Sequence, residues 1–244
     1  LAWLGEQFPP SLAPVGIGVP WHPDTSYQVH TDDQPFDWGS LLMDTGGWDH
    51  WLGAFGYAFQ KRPQTVVNAL SGAMPWTFDE ATLRSWLAHG LLLDGPAASV
   101  LVQREFGPGL GIEDARFITQ DDVLYSMEES VDSDFGLRAG AQMSLNADKP
   151  YKDRLLQGRL HPNARVISVL KDPLQNKAGH GAFLFENSLG GRVAVMPWDA
   201  TAGRNLCTQR HAQLDKVLAW LSRGRSYGAV YGGAWLTPQF FTDG

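Results

Sequence analysis

Leu91-Leu-Leu-Asp-Gly-Pro-Ala-Ala98 is the stretch from which the fold can be read. Three consecutive leucines bounded by turn residues make a short strand buried in a core. The chain then turns at once. Asp94 is a residue type that caps helices through its carboxylate, and Pro96 is suited to a first helical turn. A helix from Ala97 to about Glu105 is therefore expected, with the small Ala97 and Ala98 packed toward the sheet and a stop at Gly107-Pro-Gly109.

Working toward the N-terminus, Leu83, Trp86 and Leu87 form the apolar stripe of a preceding helix that ends at His89-Gly90. Thr77 and Glu80 have the spacing of a capping box at its start. Thr65-Val-Val-Asn-Ala-Leu70 is another apolar run, and Val15-Gly-Ile-Gly-Val19, closed by Pro20, reads as the first strand. Between them Trp48, Trp51, Leu52 and Phe55 repeat at helical spacing, Gly56 caps, and Tyr57-Ala-Phe59 reads as a short strand. Trp21 to Gly47 reads as a long loop with Leu41, Leu42 and Met43 as its apolar knot. Four strands alternating with three helices predict βαβ units, hence a doubly wound α/β arrangement with parallel strands.

Toward the C-terminus the pattern changes. Phe117 to Asn146 has no clean period and reads as irregular or antiparallel edge. Arg165-Val-Ile-Ser-Val-Leu170 reads as one strand, and Ala182-Phe-Leu-Phe185 pairs through Gly190-Gly191 with Arg192-Val-Ala-Val-Met196 in a hairpin. A helix from about Asn205 to Arg223 carries Leu206, Leu214, Val217, Leu218 and Leu221 on one face, and Tyr227 to Tyr231 closes the sheet. No internal repeat or domain boundary stands out, so residues 1–244 read as a single α/β domain.

The 244 residues carry 19 Lys and Arg against 26 Asp and Glu, a net charge of −7 that repels phosphate backbones and argues against nucleic acid as a partner. No run approaches the roughly 18 apolar residues of a membrane helix, which argues against a membrane partner. Cys207 is the only cysteine, which excludes an internal disulfide framework and a cysteine zinc site and slightly favours a cytoplasmic setting. Leu1 at the start and the Phe240-Phe241 pair near the end suggest a piece of a longer multidomain chain.

Several segments together carry a resemblance: Leu70-Ser-Gly72, Phe78-Asp-Glu80-Ala-Thr-Leu83, Leu91 to Ala98, Phe106-Gly-Pro-Gly109-Leu-Gly-Ile112, and Gly191-Arg-Val-Ala-Val195 with the later helix ending in Trp220-Leu-Ser. They resemble an accessory module of bacterial glycoside hydrolases that has a class I glutamine amidotransferase-like fold and is similar to the trimerisation domain of certain β-galactosidases. The resemblance extends from Val15 to Tyr231. It implies a flavodoxin-like three-layer sandwich with a mostly parallel sheet, a place beside flanking domains of the same polypeptide, and a homo-oligomer. It does not imply catalysis. True amidotransferases present a cysteine on a tight strand-to-helix turn, and the corresponding turn here holds Asp94, which can cap a helix but cannot replace a thiolate.

Asp94 is nonetheless the candidate catalytic residue, because ligands of open α/β sheets bind at the C-terminal ends of strands. Glycoside hydrolysis needs two carboxylates about 5–10 Å apart, and sequence spacing singles out no pair. Asp32-Asp33, Asp121-Asp122 and Glu128-Glu129 are adjacent acids whose side chains, if in strands, face opposite ways. The seven histidines form no HExxH motif and no cofactor or metal site is expected. Gly107-Pro-Gly109-Leu-Gly111 lacks the Lys and Ser or Thr of a phosphate loop.

Ten tryptophans are the compositional oddity. Trp51, Trp86 and Trp220 sit at helical core spacing. Trp21, Trp38, Trp76, Trp198 and Trp235 lie beside Pro, Asp or Gly in expected loops, where flat indoles suit sugar rings or a neighbouring subunit. Trp21, Trp76, Trp198 and Asp199 are the candidate substrate-binding residues. Three roles are open on this reading: a non-catalytic accessory module, a glycoside hydrolase or esterase-like enzyme in its own right, and a tryptophan-lined carbohydrate-binding module.

Overall fold

Leu91, Leu92 and Leu93 are at most 1% exposed and lie in a strand with partners on both sides. The computed structural model describes residues 16–20, 47–60, 63–118, 122–136, 138–145, 155–200 and 208–225. In chain order they form β1 (Ile17–Gly18), α1 (Trp48–Ala54), β2 (Val67–Leu70), α2 (Glu80–Leu87), β3 (Gly90–Leu93), α3 (Gly95–Gln103) and α4 (Gly107–Leu110). Then come β4 (Arg116–Ile118), β5 (Met127–Ser130), β6 (Gln142–Ser144), β7 (Leu155–Gln157), β8 (Arg165–Val166), β9 (Ser168–Lys171) and β10 (Lys177–His180). β11 (Phe183–Glu186), β12 (Arg192–Val195) and α5 (Thr208–Leu221) complete the described elements.

The fold is mixed α/β. Its six-stranded sheet has the order β1-β2-β3-β12-β11-β8. The first four strands run parallel, and β11 is antiparallel to both β12 and β8. The stretch that lacked a period in sequence supplies β5 and β6 to a four-stranded antiparallel sheet, β10-β9-β5-β6, and most of β4 to a two-stranded ribbon, β4-β7. The β11-β12 hairpin matches its Gly-Gly signal, with Gly190 at φ 78°. Asn187 fixes that turn: its Oδ1 accepts from the amides of Leu189 and Gly191, and its Nδ2 donates to the carbonyls of Leu87 and Gly109.

The helices follow their apolar faces. Leu83, Trp86 and Leu87 of α2 are buried, as are Leu214, Val217, Leu218 and Leu221 of α5. The start of α2 differs from expectation. Thr77 donates its hydroxyl to the Met74 carbonyl, and the cap is Asp79, whose Oδ1 accepts from the Thr82 amide at 2.7 Å. An aspartate with extended backbone next to the first helical residue outcompetes a threonine already closing the turn at Met74–Trp76. α3 begins at Gly95, two residues earlier than expected, and Gly107-Pro-Gly109 forms the helical turn α4 instead of a simple stop.

The run Arg165 to Leu170 is a second correction. It is two strands: β8 pairs with β11 in the parallel-cored sheet, whereas β9 pairs with β5 and β10 in the antiparallel one. Ile167 is the joint, donating to the Ala182 carbonyl and accepting from the Val131 amide. The expected loop at 21–46, Leu206 and the closing strand at 227–231 lie outside the described residues.

Candidate functional site

The C-terminal ends of β2, β3 and β12 come together at Asp94. This carboxylate is wholly buried and receives three backbone amides, each from a different segment. The Ala97 amide of α3 donates to Oδ1 at 2.8 Å, the Ala200 amide beyond β12 donates to Oδ2 at 3.1 Å, and the Gly72 amide beyond β2 lies 3.1 Å from both oxygens. The next residue tightens the join. Gly95 donates to the Trp198 carbonyl at 2.9 Å, and a Cβ at Gly95 would lie 2.3 Å from the Pro197 carbonyl oxygen. No side chain fits there.

Burial pushes the Asp94 carboxyl well above the usual carboxylate range, and the charge of Asp199 adds to the rise; the amides of Ala97, Ala200 and Gly72 act in the opposite sense. A raised carboxyl at a strand end is a common mark of an acid catalyst. Here the carboxylate is 0% exposed and three backbone amides converge on it. Asp94 holds three loops together.

Beside it stands an aromatic group. Trp48 and Trp51 project from α1, and their indole nitrogens donate to the carbonyls of Leu70 at 2.9 Å and Ala200 at 2.8 Å. Trp198 stacks on Trp51 with ring centroids 4.5 Å apart, and the guanidinium of Arg210 lies 5.0 Å from the Trp198 centroid. Trp198 is 8% exposed, so its covered ring offers no open platform for a pyranose. Asp199 is half-buried next to it. Trp76, by contrast, is 50% exposed on the turn after β2, with the Arg104 guanidinium 5.9 Å from its centroid. Arg104 is itself held by the carbonyls of Pro75 and Phe78. The structure thus joins Asp94, Trp198 and Asp199, and leaves Trp76 apart at the surface. Trp21 and Cys207 lie outside the described residues.

Sequence reading missed the buried ion pair that adjoins this group. Glu128 of β5 and Arg210 of α5 are 0% and 1% exposed, with Arg210 Nη2 donating to Glu128 Oε2 at 2.5 Å. The Ser168 hydroxyl of β9 also donates to Glu128, at 2.5 Å. Glu129 faces the other way, toward Lys171 at 3.2 Å and Gln142. Alternation along the strand separates the two acids, but Glu128 and its partner are 82 positions apart, beyond the reach of any local pattern. Among the described residues no group of three or more His, Cys, Asp or Glu side chains is placed to hold a metal ion.

The fold and site define a mixed α/β protein with a mostly parallel central sheet whose strand ends are closed by an aspartate clasp and an indole cluster. No protein-family model matches the chain, and no curated protein matches it. Among solved structures it is similar to Agd3, a novel carbohydrate deacetylase, with 14% identity and a TM-score of 0.45 over 77% of this chain. The similar part spans 31% of that protein's length.

Proposed function

We propose that this chain is a non-catalytic module of a multidomain carbohydrate-active enzyme of the glycoside hydrolase type, with a flavodoxin-like, class I glutamine amidotransferase-like three-layer fold. Its work is assembly: it packs against flanking domains of the same polypeptide and associates with further copies of itself. The observation that carries this reading is the state of Asp94. At the turn where a true amidotransferase presents its nucleophile, this chain has a fully buried carboxylate engaged by the amides of Gly72, Ala97 and Ala200. A group with no exposure that accepts from three backbone amides serves as a cap and a cross-link.

A contact role in carbohydrate binding draws its support from Trp76 alone among the described candidates, since its ring is half exposed and steadied by Arg104. The same ring suits a subunit interface, where tryptophan is enriched.

The test is release of reducing sugar and of aryl aglycone by the purified chain at high concentration across a glycan panel, with Asp94→Ala as control and molar mass in solution measured in parallel. Silence of the wild type together with a mass above that of one chain supports the reading. Turnover by the wild type overturns it, and loss of that turnover in an Asp94→Ala protein that remains folded makes Asp94 catalytic.

A further inference from the structure

The β4-β7 ribbon has two unlike faces. Phe117 and Leu156 are paired across it on one side, and the Leu156 side chain lies against the start of α3, 3.2 Å from where a Gly95 Cβ would be. The neighbouring pair, Arg116 and Gln157, points to the opposite side. There the ribbon forms one wall of a cleft of about 380 Å³ whose lining includes Asp114, Arg116, Ile118, Val123, Arg159 and Ala178. That volume falls at the small end of the range for ligand sites, roughly 300–1,000 Å³.

The chemistry of the lining is uneven. Ile118, Val123 and Ala178 are apolar. Gln157 is committed to the wall, with its Nε2 donating to the carbonyls of Leu156 and His180 and its Oε1 accepting from the His180 amide. Arg159 is paired with Glu113 at 2.5 Å. Arg116 and Asp114 remain. Both are exposed and line the cleft, Arg116 at the start of β4 and Asp114 two residues before it, and neither side chain has a hydrogen-bond or ion-pair partner among the described residues. The wall that carries Asp114 depends on Gly158, whose Cβ would fall 1.8 Å from the Asp114 carbonyl oxygen.

A free guanidinium, a free carboxylate and apolar side chains lining one cleft match a small molecule bearing one carboxylate, several hydroxyls and one apolar face. We propose that this cleft binds a uronic acid unit. The sugar carboxylate pairs with Arg116, the ring C–H face lies on the partly exposed Val123 and Ala178, and ring hydroxyls donate to Asp114. The preference for a carboxylate rests on the cleft; the choice of a sugar acid rests on the carbohydrate-associated reading above.

The test is calorimetric titration of the full 244-residue chain with digalacturonate, its methyl ester and cyclohexanecarboxylate, repeated with Arg116→Gln and Asp114→Asn. Saturable binding of digalacturonate is expected, weakened about tenfold or more by the methyl ester or by Arg116→Gln and several-fold by Asp114→Asn. Binding unchanged in Arg116→Gln, equal binding of the ester, or no saturation by digalacturonate overturns the proposal and leaves the accessory reading, which turnover and molar mass decide, untouched. Equal binding of cyclohexanecarboxylate, lost in Arg116→Gln, overturns the sugar assignment and counts against the carbohydrate-associated reading itself.

Discussion

Replacing Arg210 with Met strands a carboxylate. Glu128 Oε2 accepts from Arg210 Nη2 at 2.5 Å, and Oε1 accepts from Nη1 at 3.2 Å and from the Ser168 hydroxyl at 2.5 Å. With both partners at most 1% exposed, water cannot take the place of the guanidinium. Breaking such a pair from one side costs about 3–5 kcal/mol, a large part of the 5–15 kcal/mol that holds a typical domain together. Arg210→Met combined with Glu128→Gln removes both charges while leaving a carbonyl to accept from Ser168, and is expected to recover most of the loss. The pH dependence has a definite sign. Burial raises the Glu128 carboxyl, but Arg210 and the Ser168 hydroxyl outweigh it and hold it below its ordinary value of 4.5. The pair's contribution is therefore present above pH 4.5 and lost as pH falls through the lower, folded value. In Arg210→Met the guanidinium no longer opposes burial, which favours protonation, so the gap between variant and wild type narrows as pH is lowered from 7 toward 5. Urea unfolding of wild type, both single variants and the double variant at the two pH values measures this. A loss below about 1 kcal/mol in Arg210→Met, or a double variant no more stable than Arg210→Met, would refute the reasoning.

Asp94→Ala leaves three buried amides without an acceptor and is expected to cost about 1–3 kcal/mol or more in urea unfolding. Asp94→Asn removes the charge. Because the folded carboxyl lies above 3.8, wild-type stability falls as pH rises from 3.8 toward the folded value, and the Asn variant, lacking this fall, gains relative to wild type over that interval. Gly191→Ala would set a Cβ 1.8 Å from the Leu87 carbonyl oxygen, a backbone atom that cannot swing away; a loss of about 3 kcal/mol in thermal or urea unfolding is expected. Trp76→Ala should change stability by less than about 1 kcal/mol yet reduce self-association in sedimentation, and an unchanged mass distribution would exclude Trp76 from the assembly contact.

Runs of apolar residues made the parallel core legible. Val67–Leu70, Gly90–Leu93 and, after the half-buried Arg192, residues 193–195 are buried on both faces, and such strands announce themselves without alternation. The Asp94 cap was legible because strand, aspartate and Pro96 are contiguous. What contiguity could not supply was the rest of the clasp, since Gly72 and Ala200 reach Asp94 from 22 residues before it and 106 after it. The same distance hid Arg210 from Glu128. Trp198 looked like a loop indole because Pro197 and Asp199 flank it, yet long-range contact with Trp51 covers its ring. The split within Arg165 to Leu170 was illegible for a different reason: Val166, Ile167 and Ser168 would all suit one continuous strand, and only the pairing partners on either side assign them to separate sheets.

Ile167 gives these sheets a common hinge point in the hydrogen-bond lattice. Its amide is bonded toward Ala182, just before β11 of the parallel-cored sheet, and its carbonyl toward Val131, just after β5 of the antiparallel one. The amide before this single Cα is thus bonded to one layer and the carbonyl after it to the other. Solvent cannot reach the amides of one layer around this residue without loosening the other, so deuterium uptake at Val131 and Ile167 should share a single opening free energy. Circular permutation with new termini at 167 would cut both layers at once, whereas a cut at the exposed Leu174 tip of the β9-β10 hairpin would spare them.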